Sequence, residues 1–115
     1  MKRDILLFIE DILESINDIE EFSKDLTQNK FFSNKEKQNA IVRSLEIIGE
    51  AAKNVPEDFR IKYPNIEWQK VSGLRDVLIH AYFVTDLLRV WKVVKEDLPK
   101  LKKEIRKILK KEREK

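Results

Sequence analysis

Turn-forming residues are scarce in this chain: its 115 residues include two glycines and three prolines. A sandwich or barrel needs a turn signal roughly every 8–12 residues, so those architectures have almost nowhere to change direction. Helices joined by a few loops are what remains. A hydrophobic share of 42% is enough for one core, which argues against wholesale disorder even though 39% of residues are charged. Length and composition together predict one all-α domain over residues 1–115.

The apolar spacing agrees. From Arg3 to about Leu26, apolar residues fall at Ile5, Phe8, Ile9, Ile12, Ile16, Ile19, Phe22 and Leu26. Steps of three and four predict a long amphipathic helix. Asn29 to Asn34 reads as a loop, with Ser33 or Asn34 placed to cap a second helix that runs to about Asn54. Ile41, Leu45, Ile48 and Ala52 form its core stripe, and Asn39, Arg43, Glu46, Glu50 and Lys53 its polar one. Pro56 opens a short helical turn that Tyr63-Pro64-Asn65 ends.

A third helix begins near Ile66-Glu67-Trp68 and heads toward His80, interrupted at Ser72-Gly73. Thr85 or Asp86 is expected to cap the next helix. From there Leu87, Trp91, Val94, Leu98, Leu101, Ile105 and Ile108 make a near-heptad seam, with a break or kink expected at Asp97-Pro99 and a basic helix over about 97–112. The expected architecture is an antiparallel bundle of four or five helices. Phe31, Phe32, Trp68 and Phe83 lie near loops, and exposed aromatics of that kind mark interfaces, which predicts a homodimer.

Charge is uneven. The chain carries a net +3, yet residues 95–115 alone carry +5 and the remainder −2. A basic tail suggests a polyanionic partner; a solvated helix end opposing its own dipole is the plainer reading. No run approaches the ~18 apolar residues of a membrane span. Glu10 and Asp11 break the apolar run near the N-terminus, so no signal peptide is expected, and the cytoplasm is the expected location.

Zero cysteines exclude disulfides, thiolate metal sites and cysteine nucleophiles, and one histidine excludes a His-rich metal cluster. There is no Gly-rich phosphate loop, no His-Glu-x-x-His and no serine elbow, so nothing calls for a cofactor or metal. Glu46 and Glu50, four apart, could pair for metal or acid–base work, but a face salt-bridged to Arg43 and Lys53 is the simpler reading. The informative stretch is Gly73-Leu74-Arg75-Asp76-Val77-Leu78-Ile79-His80-Ala81-Tyr82. Asp76 and His80 share a helix face, so Asp76 could orient the imidazole for chemistry, or the two could be a partly buried core pair, and spacing alone does not favour the first. Arg75 and His80 point roughly 140° apart on an ideal helix.

The block Ile41-Val42-Arg43-Ser44-Leu45-Glu46-Ile47-Ile48-Gly49-Glu50-Ala51-Ala52-Lys53, the segment from Trp68 to Tyr82 with its R-x4-H-x-Y pattern, and the later Val90-Trp91 and Glu96-Asp97-Leu98-Pro99 together resemble the HepT-like family of the HEPN superfamily. Ser44 departs from the asparagine common there. The resemblance implies a HEPN-type helical bundle that is homodimeric and acts as a metal-independent endoribonuclease. Such proteins are the toxin of a two-component toxin–antitoxin system. It implies that Arg75 and His80 are catalytic and that Tyr82 accepts AMP groups from an antitoxin, a partner nucleotidyltransferase of the MNT type. Hetero-oligomers with that antitoxin are part of the same expectation, RNA is the implied substrate, and Asp76, Arg43, Glu46 and Glu50 would support the catalytic residues or border their cleft, a structural role being the first reading for the stripe. A non-catalytic HEPN binding or scaffold subunit of a nucleotidyltransferase is the alternative.

Overall fold

The computed structural model describes residues 2–75 and 84–114. Their order is α1 (Lys2–Ser23), α2 (Gln28–Phe32), α3 (Lys35–Lys53), α4 (Glu57–Lys62), α5 (Trp68–Ser72), α6 (Val84–Lys92), a π-helical turn (Val93–Asp97) and α7 (Leu98–Arg113). No strand occurs among the described residues. The architecture is an all-α helical bundle.

The two long stripes form as their spacing dictates. Ile9, Ile12, Ile16 and Ile19 of α1 meet Ile41, Leu45, Ile48 and Ala52 of α3, all essentially inaccessible to solvent. Burying each of the large aliphatic side chains contributes roughly 1.5–3 kcal/mol. α1 and α3 run antiparallel, with Phe22 beside Lys37 at one end and Phe8 close to Ala51 at the other. α7 lies along α1 in the opposite sense, and Lys102–Glu20 (2.5 Å) and Arg113–Glu10 (2.7 Å) bridge the two helices. Leu98, Leu101, Ile105 and Ile108 supply the inner face of α7.

Several details differ from expectation. α1 stops at Ser23 rather than Leu26, because Asp25 adopts a left-handed backbone (φ 63°) and Ser23 Oγ donates to Ile19 O at 2.7 Å. The stretch read as a loop contains α2: Thr27 Oγ1 accepts from Lys30 N at 3.2 Å and caps it, and Phe31 is wholly buried. Asn34 caps α3 by accepting from Lys37 N at 3.0 Å. Thr85 and Asp86 are not caps, since α6 already includes Val84.

At Asp97-Pro99 the chain neither breaks nor restarts. Proline has no N–H and its ring crowds the carbonyl four residues back. The preceding turn widens instead, and the Leu98 N–H donates to Val93 O, five residues back. The loop aromatics are corrected too. Phe31 stacks on Trp91 with centroids 5.3 Å apart, and Trp68 is buried with Nε1 donating to Tyr63 O at 2.9 Å. These two are core rather than interface, and Phe32 is partly buried. Phe83 lies outside the described residues.

Candidate functional site

Arg43, Glu46 and Glu50 stand on the outward face of α3 because steps of three and four keep them in line. Arg43 Nη1 lies 3.4 Å from Glu46 Oε2. Glu50 does not pair with Lys53. Its Oε2 accepts from Arg75 Nη1 at 2.6 Å, a contact between residues 25 apart in sequence. Both side chains are about half exposed, at 44% for Arg75 and 52% for Glu50.

Backbone packing brings Arg75 there. Gly49 is buried on α3, and a methyl group in place of its hydrogen would sit 2.9 Å from Arg75 N, 3.1 Å from Arg75 Cβ and 3.2 Å from Ser72 O. Only glycine permits so close an approach. Arg60 secures the same junction: Nε donates to Val55 O at 3.0 Å, and Nη2 donates to Ala52 O at 2.7 Å and to Ser72 Oγ at 3.3 Å. Ser72 Oγ in turn donates to Trp68 O at 2.7 Å. One guanidinium thereby satisfies the carbonyls at the end of α3 and ties them to α5.

The result is an open groove of about 440 Å³ between α1 and α3, lined among others by Phe8, Asp11, Arg43, Glu46, Glu50 and Arg75. Three residues of the polar stripe and Arg75 thus line one surface groove. Arg75 offers the groove a guanidinium with N–H groups beyond the one given to Glu50, suited to an anionic oxygen. Asp76, His80 and Tyr82 lie outside the described residues. No three of His, Cys, Asp and Glu gather to hold a metal ion among the described residues.

A family model described as ribonuclease HepT-like matches residues 12–108, most of the chain. The chain belongs to the HepT-like family. It is 53% identical over 104 residues to a protein of Methanocaldococcus jannaschii named "Putative RNase", covering 90% of this chain and 95% of that one. A second protein of that organism, also described as a "Putative RNase", is 49% identical over 109 residues, covering 95% of this chain and 90% of the relative. "Probable ribonuclease HepT" of Thermococcus cleftensis is 47% identical over 110 residues, 96% of this chain and all of that one. No solved structure matches the chain.

Pattern reading assigned Gly49, Arg60 and Ser72 no part in placing Arg75 in this HepT-like chain. Gly49 did carry a signal: a glycine inside a helical stripe costs about 1 kcal/mol against alanine and implies a packing reason. Arg60 and Ser72 carried none, being contacts between separate elements.

A second polar cluster fastens the end of α7. Glu112 is buried, Lys62 Nζ lies 2.8 Å from its Oε2, and the Tyr63 hydroxyl donates a short hydrogen bond to the same oxygen. Burial pushes the Tyr63 hydroxyl up from 10.0 to about 12, reinforced by that hydrogen bond and the Glu112 charge and opposed by Lys62. No helix among the described residues is long and apolar enough to cross a membrane.

Proposed function

We propose that this protein is a metal-independent endoribonuclease, the toxin of a two-component system, silenced when a partner nucleotidyltransferase of the MNT type places AMP on Tyr82. Membership of the HepT-like family over residues 12–108 carries the reading. It is supported by relatives named as ribonucleases and by an arginine held at the wall of an open groove.

The chemistry fits the side chains. Cleaving RNA without a metal needs a base for the 2′-hydroxyl and an acid for the leaving oxygen, the work of His80. A cation must also meet the charge that builds on the phosphorus oxygens, the work of Arg75. One chain has one histidine, so a mechanism that uses one histidine as base and another as acid requires two chains. A homodimer that brings two copies of His80 and Arg75 to one cleft meets that need. AMP on Tyr82 sets phosphate charge two residues from His80, where Arg75 can pair with it instead of RNA. The cytoplasm, where RNA and partner meet, is the place of action.

Cleavage of a labelled structured RNA in EDTA tests this, comparing wild type with His80→Ala and Arg75→Ala at matched melting temperature and oligomeric state. Wild type is expected to cleave, and each variant to lose about 10²-fold or more. Loss of the exposed Glu50 pair costs Arg75→Ala only about 0–1 kcal/mol of stability, so that variant is expected to fold. An unmodified wild type inert toward varied RNAs would leave the non-catalytic subunit reading in its place.

A further inference from the structure

The face of α7 opposite its buried edge carries Lys100, Lys103, Arg106, Lys107 and Lys110, all exposed. At 100° and 1.5 Å per residue these five fall within an arc of about 120° along about 15 Å of helix. Lys107 sits 3.5 Å from Glu104. Lys100, Lys103, Arg106 and Lys110 have no carboxylate partner among the described residues. Two cations on the flank that faces α1 do: Lys102 meets Glu20 and Arg113 meets Glu10. Four of the five cations on the outer face are thus left without an ion pair among the described residues, while the edge facing α1 is tied down.

Neither helix physics nor the fold accounts for that stripe. The helix dipole acts within the last turn, which covers Lys110, Lys111 and Arg113 but not Lys100, Lys103 or Arg106. Like charges three and four residues apart repel, so the stripe costs the folded state a little at each step. At its N-terminal end the stripe enters a hollow of about 490 Å³ between α5 and α7, where Lys70 joins Lys100 and Lys103 opposite Leu74. Glu67, Asp97 and Glu104 also line the hollow, so the unbalanced charge is the stripe rather than the hollow. Leu74 directly precedes Arg75.

We propose that the outer face of α7 is a phosphate track: a sequence-independent docking surface for the RNA backbone that leads the strand toward the Arg75 end of the molecule. This rests on the ribonuclease reading, because the track has a purpose only if RNA is the substrate. Charge complementarity selects the occupant, a polyanion whose charges repeat along a line as these cations do.

The test uses full-length protein carrying His80→Ala, so that bound RNA stays intact, and a fluorescently labelled single-stranded RNA titrated across a range of salt concentrations. The stripe variant adds Lys100→Gln, Lys103→Gln, Arg106→Gln and Lys110→Gln. A control variant removes the same charge elsewhere, through Lys24→Gln, Lys30→Gln, Lys35→Gln and Lys92→Gln, all at exposed positions. With each cation neutralising one phosphate, the stripe variant should flatten the slope of log affinity against log salt by about 3, at ~0.7 per single-strand contact. The control should change it by less than about 1. In the His80 background of the native enzyme, the four stripe substitutions should raise KM and leave kcat near wild type. Equal flattening in both variants overturns the track, because net charge alone would then suffice. An unchanged slope with cleavage intact overturns it too, pointing the stripe at an acidic protein surface while the ribonuclease stands. A wild type that neither binds nor cleaves RNA overturns both readings.

Discussion

A methyl group is the smallest change that tests how Arg75 is placed. Alanine is the better helix former, so at an open mid-helix site Gly→Ala would add about 1 kcal/mol of stability. At Gly49 the added carbon would meet the backbone nitrogen of Arg75 at 2.9 Å, and backbone cannot rotate out of the way. Gly49→Ala is therefore expected to lower stability by about 1–3 kcal/mol and to move residues 72–75 off α3. Urea denaturation and RNA cleavage measured on the same preparation check it, with kcat falling more than KM rises. A variant as stable as wild type would mean that the two segments part without cost. Glu50 is a different kind of neighbour. Its pair with Arg75 is half exposed and adds little to stability, so its effect lies in where it holds the guanidinium. The Glu50–Arg75 pair was not visible from local spacing, because the two residues are 25 positions apart and no helical period links them. The residues of the polar stripe could be named from sequence; the partner of one of them could not.

Among the elements, the long helices were legible and the short ones were not. α1 and α3 each repeat an apolar step over five turns or more, so their buried faces follow from arithmetic. The five residues of α2 are too few to show a period, and what makes them helical is the Thr27 cap together with burial of Phe31 against Trp91. Removing the cap should therefore matter more than its exposed position suggests. Thr27→Ala is expected to cost about 0.5–2 kcal/mol, read as a lower urea midpoint at unchanged m-value. Fluorescence of a Trp68→Phe background should shift along with it as Trp91 loses its stacked neighbour. No change in either would place the stability of α2 wholly in Phe31. Pro99 was legible as a disturbance but its outcome was not. A proline announces a missing hydrogen bond, and whether the helix kinks, stops or widens depends on what packs around it; here Val94 and Leu98 are both buried and hold the path.

At the scale of the molecule, α7 is fastened along its length by two ion pairs to α1 and at its end by Lys62, Tyr63 and Glu112. The Tyr63 hydroxyl titrates near 12 when folded against 10.0 otherwise. Its contribution is thus complete below pH 10 and is lost as pH rises from 10 through about 12, because the unfolded chain releases the phenolic proton first. Wild type should lose more stability than Tyr63→Phe across that window, measured as the difference between their urea midpoints at each pH so that lysine titration cancels. Parallel curves would show that the hydroxyl is held no more tightly than in water. Trp68 has an optical consequence as well. Its indole is buried, hydrogen-bonded to the Tyr63 carbonyl and placed at the start of α5, seven residues before Arg75. With Trp91 replaced by Phe, this chain would contain one tryptophan, on the segment that leads to Arg75, and with excitation selective for indole the arrival of an RNA could be timed without attaching a dye.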